Sequence, residues 1–188
     1  MIYWIGRTLY FIFFKLFFRF KVSGKENLPE GGFIVASNHN SLTDPPFIGC
    51  CIPRSVYFMA KKELFKIPFL GRIIRHTHAF PVDRHTPGPS TLKTALKLLQ
   101  SGKIVLVFPR GTRKSRGKLY NGAAVLAHKS ALPVVPARIY NNENIFKLMP
   151  LSCRFGEPVS FPVHCSEKAS SEQYSEFTRL IMEKSESL

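Results

Sequence analysis

The chain has 188 residues, enough for one domain with a buried core and short of what two usually need. Apolar content is an ordinary 45%, but 27 Lys and Arg against 12 Asp and Glu leave a formal charge of +15. That excess excludes a preference for polycations and points to anionic partners: nucleic acid, an anionic membrane surface, or a phosphorylated or acidic substrate. Cys50, Cys51, Cys153 and Cys165 make no C-x-x-C and no zinc spacing. They are expected as buried or inert thiols in a reducing compartment rather than as a disulfide framework or a metal site.

Residues 2–18 read IYWIGRTLYFIFFKLFF. No small-residue cleavage site follows, so this is not a signal peptide. Arg7, Lys15 and Arg19 interrupt it, which argues against a clean membrane span of about 20 apolar residues. At about 100° per residue, Thr8, Lys15 and Arg19 fall within about 40° of each other, with Arg7 at the margin. A wide apolar face with a basic stripe predicts a helix lying in a membrane interface. Tyr3, Trp4 and Tyr10 suit the headgroup level. A helix packed on the domain, or a short tilted span, would also fit. Residues 25–32 are rich in turn formers, so the expected division is an anchor over 1–21 and a domain over 22–188.

Phe33–Ser37 is an apolar run that predicts a strand. Directly after it comes Asn38-His39-Asn40-Ser41-Leu42-Thr43-Asp44, then Pro45 and Pro46. Proline suits the first turn of a helix and aspartate suits the cap before it, so Asp44 reads as an N-cap and His39 as a loop residue. Such a loop can fold the imidazole onto the carboxylate. That fixes the tautomer and leaves the other ring nitrogen free to take a proton. The result is a general base with no built-in nucleophile, suited to a hydroxyl that arrives on the substrate. A loop histidine beside a plain helix cap fits the same residues.

Strands are expected over 56–59, 79–82, 104–108 and 134–139, and helices from 45 to 51, over 62–75 with a break at Pro68 and Gly71, from Pro89 to Gly102, and over 123–131. The 104–108 strand is fully apolar and expected near the centre of a sheet. Pro136 hints at an edge strand or an irregular end. Two short extended pieces surround Gly156. A last helix opens with a capping box, Ser170 to Gln173, and carries an apolar stripe of Tyr174, Phe177, Leu180 and Ile181. This alternation predicts a single α/β domain with a mixed or mostly parallel sheet covered by helices, preceded by the N-terminal amphipathic helix. Sites in such sheets gather past the carboxyl ends of strands.

Two more segments follow predicted strand ends. Asp83-Arg84 reads as an acid–base pair, which a surface ion pair would also explain. Phe108-Pro109-Arg110-Gly111-Thr112-Arg113 opens a loop with five cations in the nine residues from Arg110 to Lys118. Arginine forks meet phosphate oxygens two at a time, although a solvated basic loop fits too.

In order and spacing these blocks resemble the glycerolipid acyltransferase family, in particular the 1-acyl-sn-glycerol-3-phosphate (lysophosphatidic acid) acyltransferases, over about residues 22–139. The N-H-x-x-x-x-D motif is Asn38-His39 to Asp44, the V-D-R motif is Val82-Asp83-Arg84, the F-P-E-G-T-R motif is Phe108 to Arg113, and the V-P strand is Val135-Pro136-Ala137. Arg110 stands where that pattern has glutamate, and arginine offers no acceptor atoms.

The resemblance implies acyl transfer from a thioester to the hydroxyl of lysophosphatidic acid, giving phosphatidic acid. His39 would be the base and Asp44 its partner. Arg84 and Arg113 would bind the phosphate, with Asn38, Arg110, Gly111 and Thr112 in support. No metal or resident cofactor is implied. The expected partners are an anionic membrane surface, a lysophospholipid, and acyl-CoA or acyl-carrier protein as cosubstrate, at the cytoplasmic face of a membrane in a peripheral or monotopic manner. Nucleic acid is not expected, because the aromatics concentrate in the N-terminal segment and do not interleave with the basic loop. Alternatives are a family member acting on another lysolipid or hydroxylated acceptor, or a non-catalytic binder of anionic membranes or nucleic acid.

Overall fold

A computed structural model describes residues 2–82, 88–111, 119–143 and 149–188. Its core is a seven-stranded sheet in the order β1-β7-β6-β2-β5-β3-β4. The strands are β1 (Lys21–Ser23), β2 (Phe33–Ser37), β3 (Val56–Lys61), β4 (Ala79–Val82), β5 (Ile104–Val107), β6 (Val134–Tyr140) and β7 (Ser152–Phe155). Every neighbouring pair runs parallel except β6 with β7. The helices are α1 (Ile2–Phe18), α2 (Asp44–Cys51), α3 (Leu70–His76), α4 (Pro89–Gln100), α5 (Gly122–Ser130) and α6 (Ser171–Glu186).

The uninterrupted apolar runs of β2 and β5 exist because both faces of the sheet are covered. Phe33, Val35, Ile104 and Leu106 pack with Phe14 and Phe18 of α1 and with Phe47 and Ile48 of α2. Ile34, Ala36, Val105 and Val107 pack on the other face with Ala95 and Leu99 of α4, Leu126 of α5, and Phe177 and Ile181 of α6. The α6 capping box forms as the sequence predicts: Ser170 Oγ accepts from Gln173 N at 3.2 Å, and Gln173 Oε1 accepts from Ser170 N at 2.7 Å. Leu180, expected in the apolar stripe of α6, is instead exposed, and Met182 and Thr178 are buried in its place.

Other sequence expectations change as well. Pro136 lies in an interior strand, between β2 and β7, and not at an edge. It is tolerated because the β6–β7 ladder begins one residue later, at Ala137 opposite Phe155. Its carbonyl still accepts from Gly156 N at 2.8 Å. Cys165 is exposed, unlike the other three cysteines. Among those, burial pushes the Cys50 thiol up to about 11, so it stays protonated and unreactive. Lastly, β1 is a sheet strand that the sequence reading missed, and the 21/22 division falls inside it.

Helix α1 shares the domain's core. Phe14 and Phe18 are fully buried, and Tyr3 Oη accepts from Val56 N at 3.2 Å. Arg7 does not join the basic stripe. Its Nε donates to Gly49 O at 2.9 Å, and its Nη2 to Cys50 O at 3.2 Å and Ile52 O at 3.0 Å. These are carbonyls at the C-terminal end of α2, which lack helical partners and carry the negative end of the helix dipole. The opposite side of α1 is apolar and solvent-facing: Leu9 is 62% exposed and Leu16 71%.

Arg7→Met keeps the buried stem and removes only the guanidinium. It should destabilise the fold by about 2 kcal/mol and lower the melting temperature by roughly 4–8 °C. Calorimetry on the full chain checks this.

Candidate active site

The ends of β2 and β5 lie in register, with Ala36 opposite Val107, and Ser37 stands opposite Ala137 of β6, which runs on to Tyr140. The segments that leave them, 38–43, 108–111 and 141–143, therefore meet at one end of the sheet. His39 and Asp44 meet there. His39 Nδ1 donates to Asp44 Oδ2 at 2.9 Å, and both side chains are buried. A carboxylate cannot donate, so Nδ1 carries the hydrogen and Nε2 is the basic nitrogen. The Phe108 ring stacks on the imidazole with centroids 4.1 Å apart and planes 19° apart.

Asp44 is not the N-cap. Thr43 holds that position and Asp44 is the first residue of α2. The carboxylate is unavailable to the helix because it folds back over the loop. Oδ2 also accepts from Asn40 N at 2.7 Å and Ser41 N at 2.8 Å. Oδ1 accepts from Asn142 Nδ2 at 2.9 Å, and Asn142 Oδ1 in turn accepts from Asn40 Nδ2 at 3.0 Å. So the five-residue spacing from His39 to Asp44 makes a small closed loop around one carboxylate. Asn142 is buried, and the sequence reading missed it. Its only sequence signal is its place just past the V-P strand.

Asn38 supports the loop from the other side. Its Oδ1 accepts from Ile139 N at 2.8 Å and its Nδ2 donates to Ile139 O at 2.9 Å, so one amide pins the end of β2 to β6. Gly111 makes the tight turn expected of it: its N donates to Phe108 O at 2.8 Å, at φ 65°. A Cβ there would come within 2.9 Å of the Tyr120 ring, so both backbone conformation and space require glycine. Arg110 does not face His39. Its Nη2 donates to Glu186 Oε1 on α6 at 2.8 Å. Arg84, Thr112 and Arg113 lie outside the described residues.

Beside this cluster is a cavity of about 420 Å³. Its walls are mostly apolar, among them Met59, Leu92, Leu106, Phe108, Val125 and Leu126. Phe108 thus separates the imidazole from an apolar chamber under α4 and α5.

A buried histidine–carboxylate pair past a parallel strand, with an apolar chamber alongside, is an arrangement suited to an enzyme that handles a substrate with an apolar chain. The comparisons agree. A profile of the Acyltransferase family matches residues 19–140. The chain is 42% identical over 145 residues to a 1-acyl-sn-glycerol-3-phosphate acyltransferase of Bacillus subtilis, covering 74% of this chain and 73% of that one. It is 32% identical over 127 residues to the protein of that name in Helicobacter pylori, of which it covers 54%. The crystal structure of the 1-acyl-sn-glycerophosphate (LPA) acyltransferase PlsC from Thermotoga maritima superposes with a TM-score of 0.68 at 29% identity, covering 97% of this chain and 77% of that one. The chain belongs to the acyltransferase family.

Asn142→Leu leaves Asp44 Oδ1 buried without its donor. It should cost about 1–3 kcal/mol of stability, read from urea denaturation, and Asn142→Asp should cost more because it sets a second carboxylate against the first.

Proposed function

We propose that this chain transfers a fatty acyl group from an acyl thioester to the free hydroxyl of lysophosphatidic acid, giving phosphatidic acid. The observation that carries the reading is the His39–Asp44 pair, buried, with Nδ1 committed and Nε2 left basic. The named activity of the relatives supports it. The hydroxyl gives its proton to Nε2 as its oxygen attacks the thioester carbonyl. The C–S bond then breaks, and the imidazolium returns the proton to the departing thiolate. Asp44 holds the ring and stabilises the imidazolium. General-base help of this kind contributes about 10²–10⁴-fold, so positioning must supply much of the remaining acceleration.

Arg84 and Arg113 are proposed to clamp the acceptor's phosphate, with Thr112 in support, while Asn38 holds the histidine loop to β6 and Gly111 makes the turn after β5. The apolar cavity beside Phe108 takes the acyl chain, where each buried methylene is worth about 0.8 kcal/mol. The thioester, on coenzyme A or a carrier protein, is a cosubstrate, and the chemistry calls for no resident cofactor. The solvent-facing apolar side of α1 lies in the headgroup region of an anionic membrane, flanked by Lys15 and Arg19. Among the described residues no helix is long and apolar enough to cross a membrane. Attachment is proposed to be peripheral or monotopic, at the cytoplasmic face.

His39→Ala should abolish turnover of lysophosphatidic acid in mixed micelles while the fold and vesicle binding persist, at a melting temperature lowered by a few degrees because buried Asp44 loses one donor. Asp44→Asn should lose nearly as much, since an amide favours the wrong tautomer. Near-wild-type turnover by His39→Ala would overturn the mechanism.

Arg110→Glu alone would place two carboxylates where the Arg110–Glu186 pair now stands. Combined with Glu186→Lys, the pair is restored with reversed sign. If the acceptor atoms of a glutamate serve the site, the swapped protein gains turnover on lysophosphatidic acid. A raised acceptor KM with no gain in turnover would count against that role.

A further inference from the structure

Between β3 and β4 the chain makes a 3-10 turn, Lys62–Lys66, and then α3. A crossover between parallel strands ordinarily turns its apolar side chains to the sheet. This one does the reverse. Gly71 is the only buried residue of α3, while Ile67, Phe69, Leu70 and Ile73 face solvent. Phe69 is 79% exposed, the largest value among the exposed apolar side chains of the described residues.

Its backbone is also unusual. Phe69 has φ 65° and ψ −58°, and Leu70 N donates to Pro68 O at 2.7 Å across it. That is a three-residue γ-turn of the rare, strained hand, carried by an aromatic residue with no glycine to relieve it. The phenyl ring on this turn lies largely in solvent.

The surroundings select the partner. Residues 61–76 contain Lys61, Lys62, Lys66, Arg72 and Arg75 against the single acid Glu63. A second copy of the chain would bring like charges together. Exposed apolar side chains among exposed cations of the same segment fit the headgroup layer of an anionic bilayer. Tyr3 stacks on His78, two residues past the end of α3, with ring centroids 4.0 Å apart.

We propose that residues 67–73 form a second membrane-binding element, inserting Ile67, Phe69, Leu70 and Ile73 among the lipids of an anionic surface while Lys66, Arg72 and Arg75 meet the phosphates. This rests on the interfacial reading above and adds to it a contact independent of α1.

The chain has one tryptophan, Trp4. Full-length protein with Trp4→Phe and Phe69→Trp therefore reports on the turn alone. On vesicles rich in phosphatidylglycerol its emission should shift to the blue and be quenched by brominated acyl chains. Unchanged emission on vesicles that the protein does bind would overturn the proposal. So would emission that responds to an acidic acyl-carrier protein and not to lipid.

Phe69→Gly supplies the control for folding. Glycine accepts φ 65°, so the variant should melt no lower than the parent. It should bind anionic vesicles on the order of tenfold more weakly. Wild-type vesicle affinity would also overturn the proposal. Turnover in detergent micelles should be unchanged by Phe69→Gly, which keeps the test separate from that of His39: micellar activity surviving in His39→Ala removes the catalytic reading and leaves this one standing.

Discussion

Everything at the catalytic end of the sheet depends on where one buried negative charge finds its hydrogen bonds. The Asp44 carboxylate takes donors from a ring nitrogen, two backbone amides and one side-chain amide. A carboxylate out of water needs that much compensation. Meeting the need closes the 39–44 loop, fixes the imidazole tautomer, starts α2 and draws in the segment after β6. The same contacts that satisfy the charge therefore orient the imidazole, so stability and the proposed base role are not in conflict at this residue.

The sheet makes that convergence possible. Because β2, β5 and β6 are parallel neighbours, the segments that leave them emerge side by side. The peptide segments 38–43, 108–111 and 141–143 are far apart in sequence and near in space for that reason alone. Phe108 benefits most: as the first residue past β5 it can cover the imidazole on one side and line the apolar chamber as well.

What the sequence revealed follows the range of the interactions. The His39–Asp44 pair was legible because its partners are five residues apart, within one loop. The capping box of α6 and the turn at Gly111 were legible for the same reason. Asn142 was not, since its bond to Asp44 spans 98 positions and a lone asparagine after a strand carries no pattern. Arg7 was misplaced because a helical wheel shows which side chains share a face but not what that face meets. The Arg110–Glu186 pair likewise joins residues 76 apart. Pro136 was misread because the rule for prolines in strands concerns where the missing hydrogen would have pointed, and that depends on where the neighbour stops. Strand β1, three residues long with no apolar pattern, is held by its pairing with β7 and by Val22 packing against the core.

Helix α2 has Arg7 bound at one end and the Asp44 carboxylate at the other. At 1.5 Å per residue, its eight residues make a strut of about 12 Å. The strut admits little variation in length. Losing one residue would turn Asp44 by about 100° relative to the carbonyls that Arg7 holds, so one end or the other would come undone. Insertions and deletions in this family member should therefore be excluded from α2 and admitted in the loops around it, for mechanical reasons that the chemistry of the base does not itself impose.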